Sequence, residues 1–264
     1  MAEQQQAKAP AGVLIIHGFS STPESVAILE KPLRALGLPV SLPLLSGHGA
    51  PSPEALRGVT FHDWMADAVR AFQALAEKAE KIIVVGHSMG ALISLRLAAE
   101  YSDTVDSLVL AAPALRLASL LAPGRPLHFA AAPISLVIKR WDLKPVFAGT
   151  DYLECAGQYQ WVPTDAILSL FELIGTTLPL LGSVHVPVLL LQNRRETTVL
   201  AESEAMLFKL IGTRQAEQSV IWLDRSEHQI FCDCERDKAV RAVLAFVSGR
   251  LAQQPAHAGP PVCL

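Results

Sequence analysis

The feature that most constrains this chain is an alternation of short β-branched apolar runs with longer stretches of helical apolar spacing. Gly12 to Ile16, Leu38 to Leu42, Lys81 to Val85, Ser107 to Leu110, Val186 to Leu191 and Ser219 to Leu223 read as strands. Between them, Pro23 to Leu36, Phe61 to Lys78, Met89 to Tyr101, Val199 to Ile211 and Glu235 to Leu251 read as helices. Parallel strands need crossover connections and helices supply them, so this order predicts a mostly parallel sheet covered on both faces. The near-continuous apolar runs Lys81 to Val85 and Val186 to Leu191 fit central strands. At 264 residues, 51% hydrophobic and 18% charged, the chain has the material for a large buried core and is no disordered segment. A net charge of -3 with scattered Lys and Arg lacks the clustered basic face that nucleic acid requires.

The alternation breaks between about Pro113 and Ser183, where strands are not evident and several short helices fit better. Residues 1–113 and 183–252 are therefore expected to form one α/β core. Residues 114–182 are expected to be inserted above the strand C-terminal ends, where open α/β sheets bind ligands. Residues 253–264, rich in Pro, are expected to be a loose tail. The apolar run Leu127 to Ile138 is too short to span a membrane, contains Pro133 and is flanked by Arg125, Lys139 and Arg140. We expect it to be buried or pocket-lining, and expect no integral membrane segment. Met1 to Pro10 is polar and Gln-rich, without the order of a secretory signal, so a cytoplasmic location is the expectation. Cys155, Cys232, Cys234 and Cys263 lack paired metal-ligand spacing and are expected to be free thiols.

Gly86-His87-Ser88-Met89-Gly90 carries the chemistry. A serine between two glycines, after the strand Lys81 to Val85 and before the helix opening at Ala91, sits on a sharp strand-to-helix turn that exposes its hydroxyl. A hydroxyl is a weak nucleophile until an imidazole takes its proton and an acid orients that imidazole. Two later strand ends offer these groups: Gln192 to Val199, which includes Glu196, and Asp224 to Ile230, which includes His228. His228 is the best base by position, since His17 precedes the serine, His87 lies within the turn and His185 precedes a strand. The developing oxyanion needs backbone N–H donors. Met89 supplies one, and Phe19, in the His17-Gly18-Phe19-Ser20 turn after the first strand, supplies the second.

With these motifs the chain resembles the carboxylesterase branch of the α/β-hydrolases, in which monoacylglycerol lipases and small bacterial carboxylesterases share an HGF segment, a GHG loop and a GxSxG elbow. The likeness extends through Ser46-Gly47-His48-Gly49 and Thr60-Phe61-His62-Asp63-Trp64. It implies an α/β-hydrolase fold with a mostly parallel central sheet, flanking helices and a small inserted helical cap over an acyl pocket. It also implies that the triad acid, usually aspartate in that family, is Glu196 here. Glu202, in the following helix, and Asp224, close to the strand end, are the competing acids. Gly47-His48-Gly49 reads as a structural loop with the imidazole bonded to backbone, and Asp63 and Trp64 as helix capping and packing.

The function expected is hydrolysis of small carboxylic esters with apolar acyl groups through Ser88, His228 and Glu196, with Phe19 and Met89 as the oxyanion hole. Side chains and water suffice, so no cofactor and no metal are expected. The same residues suit a thioesterase, an acyltransferase or a carbon-carbon bond hydrolase, because the fold does not choose the reaction. A haloalkane dehalogenase is disfavoured, since Ser88 stands where an aspartate is needed. A non-catalytic receptor for small apolar ligands is the reading from a different class.

Overall fold

The computed structural model describes residues 7–143, 147–148, 150–153 and 157–253. Six strands form one parallel sheet: β1 (Ala9–Ile16), β2 (Val40–Ser41), β3 (Ala79–His87), β4 (Val105–Ala111), β7 (Val188–Asn193) and β8 (Gln218–Leu223). Two short strands, β5 (Arg140–Asp142) and β6 (Trp161–Pro163), pair antiparallel in a separate hairpin. The large sheet runs β2-β1-β3-β4-β7-β8, so the chain reverses its winding direction between β1 and β3. That switch point is where an open α/β sheet leaves a crevice at its strand ends.

All six expected strands form, each within a few residues of its expected limits. The helices are α1 (Glu30–Ala35), α2 (Phe61–Ala76), α3 (Met89–Glu100), α4 (Ala131–Val137), α5 (Thr164–Thr177), α6 (Glu202–Leu210) and α7 (Arg236–Gln253). Pro23 to Leu36, expected as one helix, is instead two 3-10 turns followed by the six residues of α1. Alternate strand residues feed two cores. Leu14, Ile16, Val84, Leu110 and Leu190 face α2, α3 and α5, while Val13, Ile15, Val85, Val109 and Leu191 face α1 and α7. This period-two division is what parallel strands covered on both sides require. The Thr60/Asp63 capping box starts α2, and Trp64 is fully buried, donating its indole N–H to the Ser46 carbonyl at 3.1 Å.

Residues 114–182 differ from expectation in two ways. They contain the β5/β6 hairpin as well as helices, and the hairpin escaped notice because three-residue strands with all of Arg140, Trp141 and Asp142 exposed carry no buried alternation. The run Leu127 to Ile138 lines the cavity through Ala131, Ile134 and Ser135, as expected, but buries only Ala131 among the residues of α4 and the turn before it. Phe129, Leu136 and Val137 are 79%, 73% and 83% exposed. This apolar helix thus shows one face to the protein and leaves the other in solvent. Among the described residues one helical stretch, Thr164–Ser183, is long and apolar enough to cross a membrane. Its apolarity serves packing: Leu170, Leu173, Ile174 and Thr177 of α5 are buried, and α5 lies against α2, α3 and α4.

The cysteines also depart from expectation. Cys232 is disulfide-bonded while Cys234 is a free, partly exposed thiol. Spacing along the chain weighs only near neighbours such as Cys234, whereas a disulfide is set by proximity in space. Cys155 and Cys263, like the tail from residue 254, lie outside the described residues.

Candidate active site

The sheet brings the expected residues to one edge. Ile16 is level with Gly86, His87 with Ala111, Ala111 with Leu191, and Asn193 with Leu223, so the C-terminal ends of β1, β3, β4, β7 and β8 align. Ser88 follows β3 immediately and has φ +54° and ψ -112°, a conformation that non-glycine residues seldom hold. The turn is kept by its surroundings. Ser88 donates its N–H to Ala111 O at 2.8 Å, and a Cβ on Gly86 or Gly90 would overlap the Gly90 or Ile16 carbonyl oxygen respectively. Only glycine permits α3 to lie this close to β1 and β3.

Ser88 Oγ lies 2.9 Å from His228 Nε2, and His228 Nδ1 lies 2.9 Å from Glu196 Oε2. An ionised carboxylate only accepts, so His228 carries its proton on Nδ1 and leaves Nε2 free to accept from the serine. Glu196 receives further N–H bonds from Thr198 at 2.8 Å and Val199 at 3.1 Å, and a longer one from Asn193 Nδ2 at 3.3 Å. Burial pushes the Glu196 carboxyl up, but the neighbouring His228 and these hydrogen bonds outweigh it and hold the group at about 2. The competing acids are elsewhere: Glu202 is exposed at the start of α6, and exposed Asp224 pairs with Arg194 at 2.9 Å.

Four side chains support this line, and of them the sequence weighed only His87, as a rejected base. Asn193, buried at the end of β7, donates to both Glu196 and the Glu227 carbonyl, at 2.6 Å for the latter, and so ties the acid loop to the histidine loop. Asp233 accepts the Glu227 N–H at 2.7 Å and Glu235 accepts the Ser226 N–H at 3.0 Å, anchoring the loop before His228 from below. His87 donates Nε2–H to the His228 carbonyl at 2.8 Å; complete burial lowers it to about 3, so it stays neutral. Asn193 was legible as a polar residue closing an apolar strand, but nothing in the sequence paired it with a loop more than thirty positions away.

The Phe19 and Met89 amides make no hydrogen bond among the described residues, and Gly18, Phe19 and Ser88 line one cavity of about 330 Å³. Its walls are mostly apolar, with Leu117, Ile134, Leu143, Ile167, Leu170 and Phe171 coming from the 114–182 segment. Gln158, Thr197, Thr198 and Gln229 also line it. No group of three or more metal-binding side chains converges among the described residues.

Known proteins match this chain over nearly its whole length. A thermostable monoacylglycerol lipase of Bacillus sp. (strain H-257) is 28% identical over 90% of each chain. A carboxylesterase of Bacillus subtilis (strain 168) is 23% identical over 89% of this chain and 91% of its own. Among solved structures, one described under LipS and LipT, two metagenome-derived lipolytic enzymes, superposes with a TM-score of 0.79 at 26% identity, covering 92% of this chain and 95% of that one. Residues 7–235 match the Hydrolase_4 family, described as serine aminopeptidase, S33. On that match and on its sheet, the chain belongs to this family of α/β-hydrolases.

Proposed function

We propose that this α/β-hydrolase cleaves carboxylic esters of apolar acyl groups, a monoacylglycerol among them, through an acyl-enzyme on Ser88. The observation that carries the reading is the continuous line Glu196–His228–Ser88 at 2.9 Å per step, ending in an apolar cavity. The named activities of the two Bacillus relatives support it. His228 Nε2 takes the Ser88 proton as Oγ attacks the ester carbonyl. The Phe19 and Met89 amides receive the oxyanion, and His228 returns the proton to the departing alcohol. Water, activated by the same imidazole, then releases the acid and restores the serine. Glu196 stays ionised and holds the imidazole in its Nδ1–H form through both steps.

Residues 114–182 act in this reading as the cap. Their apolar walls take the acyl chain, and the cavity, at the small end of the roughly 300–1,000 Å³ usual for small-molecule sites, favours chains of medium length. The state of Cys232 bears on the expected cytoplasmic location. The disulfide at Cys232 argues against it, because such bonds persist mainly in oxidising compartments. Thiol titration of protein from freshly lysed cells separates the two: a reduced Cys232 supports the cytoplasm, and an oxidised one refutes it.

Incubation with a fluorophosphonate followed by peptide mass analysis tests the mechanism. A single adduct on Ser88, blocked by prior addition of a medium-chain monoacylglycerol, is the expected result. Absence of any Ser88 adduct, with the ester still raising Tm, would leave a receptor and remove the enzyme.

A further inference from the structure

We infer that His17, with His48 behind it, is a positioning residue that turns the Phe19 amide into the oxyanion hole. The inference rests on the acyl-transfer reading of Ser88 above and adds what aims one of its two donors.

The peptide between Gly18 and Phe19 is trans and planar, so its C=O and N–H point opposite ways. The Gly18 carbonyl is held by two donors, His17 Nδ1–H at 2.8 Å and Ser21 Oγ–H at 3.1 Å. With the carbonyl fixed on that side, the Phe19 N–H faces the cavity that Gly18, Phe19 and Ser88 line. His17 is locked in this role from its far side. Its Nε2 accepts the Leu45 N–H at 3.2 Å, which an imidazole does only when the proton sits on Nδ1.

His48 fixes the next peptide in the same manner. Its Nδ1–H donates to Ser46 O at 3.1 Å, and its Nε2 accepts the N–H of Ser20, a residue at φ +60°. The Ser20 carbonyl in turn accepts the Tyr159 N–H at 2.8 Å. The Tyr159 hydroxyl bridges Gly47 O and the Ala50 N–H at 3.0 and 2.9 Å, and its ring stacks on His48. The two imidazoles meet edge to face with centroids 5.0 Å apart, both inside the protein. Burial lowers His17 to about 4 and His48 to about 3, so both keep one donor and one acceptor at neutral pH. The Gly18 to Ser20 backbone is thus gripped at Gly18 O, Ser20 N and Ser20 O, and the Phe19 N–H between them is left free.

Two variants and one measurement on the unaltered protein test this. His17→Leu removes the donor to Gly18 O, and His17→Asn returns an N–H at the same position. Loss of an oxyanion donor outright costs about 100- to 1,000-fold in kcat, so misaiming one in His17→Leu is expected to cost about 10- to 100-fold with KM within twofold. His17→Asn is expected to recover most of that loss. Binding of a trifluoromethyl ketone, which forms a tetrahedral oxyanion on Ser88, should weaken in step with kcat/KM, while binding of the product fatty acid stays unchanged. A purely structural histidine would lower Tm and shift both ligands alike. Should His17→Leu fail to fold, nitrogen-15 NMR of the wild-type imidazoles still decides: both His17 and His48 must be neutral Nδ1–H tautomers at pH 7. An Nε2–H tautomer at His17, or a folded His17→Leu with wild-type kcat, overturns the inference. Wild-type activity in Ser88→Ala would instead overturn the reading beneath it, leaving the tautomer result to stand alone.

Discussion

Ser20, Ser88 and Ala112 are the non-glycine residues with positive φ among those described, and each lies just past a strand end, after β1, β3 and β4. Such conformations cost on the order of 1–3 kcal/mol apiece and persist only where neighbours over-determine them. Ser88 and Ala112 each donate an N–H to the next strand, to Ala111 and Leu191, and Ser20 is held by His48. Strain is therefore concentrated where the candidate nucleophile and oxyanion loop must be aimed. Glu196 is where a single carboxylate decides the imidazole tautomer. Glu196→Gln can present an amide donor to His228 Nδ1 and favour the wrong tautomer, so kcat should fall by about 1,000- to 10,000-fold with KM nearly constant. Steady-state kinetics on a p-nitrophenyl ester reads this directly, and a loss under tenfold would hand the acid role to another residue. Ser88 and His228 were legible because a GxSxG turn and a histidine between the last strand and last helix are local patterns. Glu196 was legible from its place on the loop after a late strand together with family likeness, Glu202 lying in the following helix and Asp224 too close to a strand end. Asn193 and Asp233 were not legible, because their value lies in hydrogen bonds to loops that are neighbours only after folding.

The elements followed the sequence wherever burial is two-sided. Lys81 to Val85 and Val186 to Leu191 were plain because a parallel strand covered on both faces leaves nothing polar to obscure the run. Pro23 to Leu36 misled because its apolar spacing is helical, yet Val26 leaves helical geometry at φ -125° and ψ -1°, and Pro32 fits only a first helical turn, so just Glu30–Ala35 makes α-helical turns. The 114–182 segment misled more, since its contacts run to helices and loops rather than to the sheet. Tyr159, for example, reaches Gly47 and Ala50 across more than a hundred residues. Where α3 leaves β3, packing is closest. Gly90→Ala places a methyl against the Ile16 carbonyl, with no flexible side chain to give way. We expect this variant to lose about 3 kcal/mol or more in urea unfolding, or to fail to accumulate in folded form, whereas alanine at Gly249, where nothing lies within 4 Å, should be tolerated. Equal stability of the two variants would show that the elbow is looser than its geometry implies.

At the scale of the molecule, buried imidazoles set the response to acid. Burial pushes His17, His48 and His87 from the usual 6.5 down to about 4, 3 and 3. The unfolded chain therefore binds protons that the folded chain refuses, and stability falls as pH drops below 6.5. Each histidine contributes about 1.4 kcal/mol per pH unit until its folded value is reached. Glu196 works lower: its depressed value adds stability that is complete above its usual 4.5 and is lost as pH falls toward about 2. Urea unfolding at pH 7.5, 6 and 5 should show a steep decline between the last two, and a flat profile would contradict the neutral imidazoles. The cavity gives a second global expectation. Ile167→Trp fills the acyl wall supplied by α5, so preference should move toward shorter esters, read as the ratio of kcat/KM for butyrate over decanoate. An unchanged ratio would place the acyl chain elsewhere.

The most direct test of the central claim, ester cleavage by Ser88 in line with His228 and Glu196, is turnover of a medium-chain p-nitrophenyl ester by wild type and by folded Ser88→Ala. A loss of about 10⁴-fold or more in kcat with the wild-type Tm retained is the expected result. Equal turnover by the two proteins would contradict it.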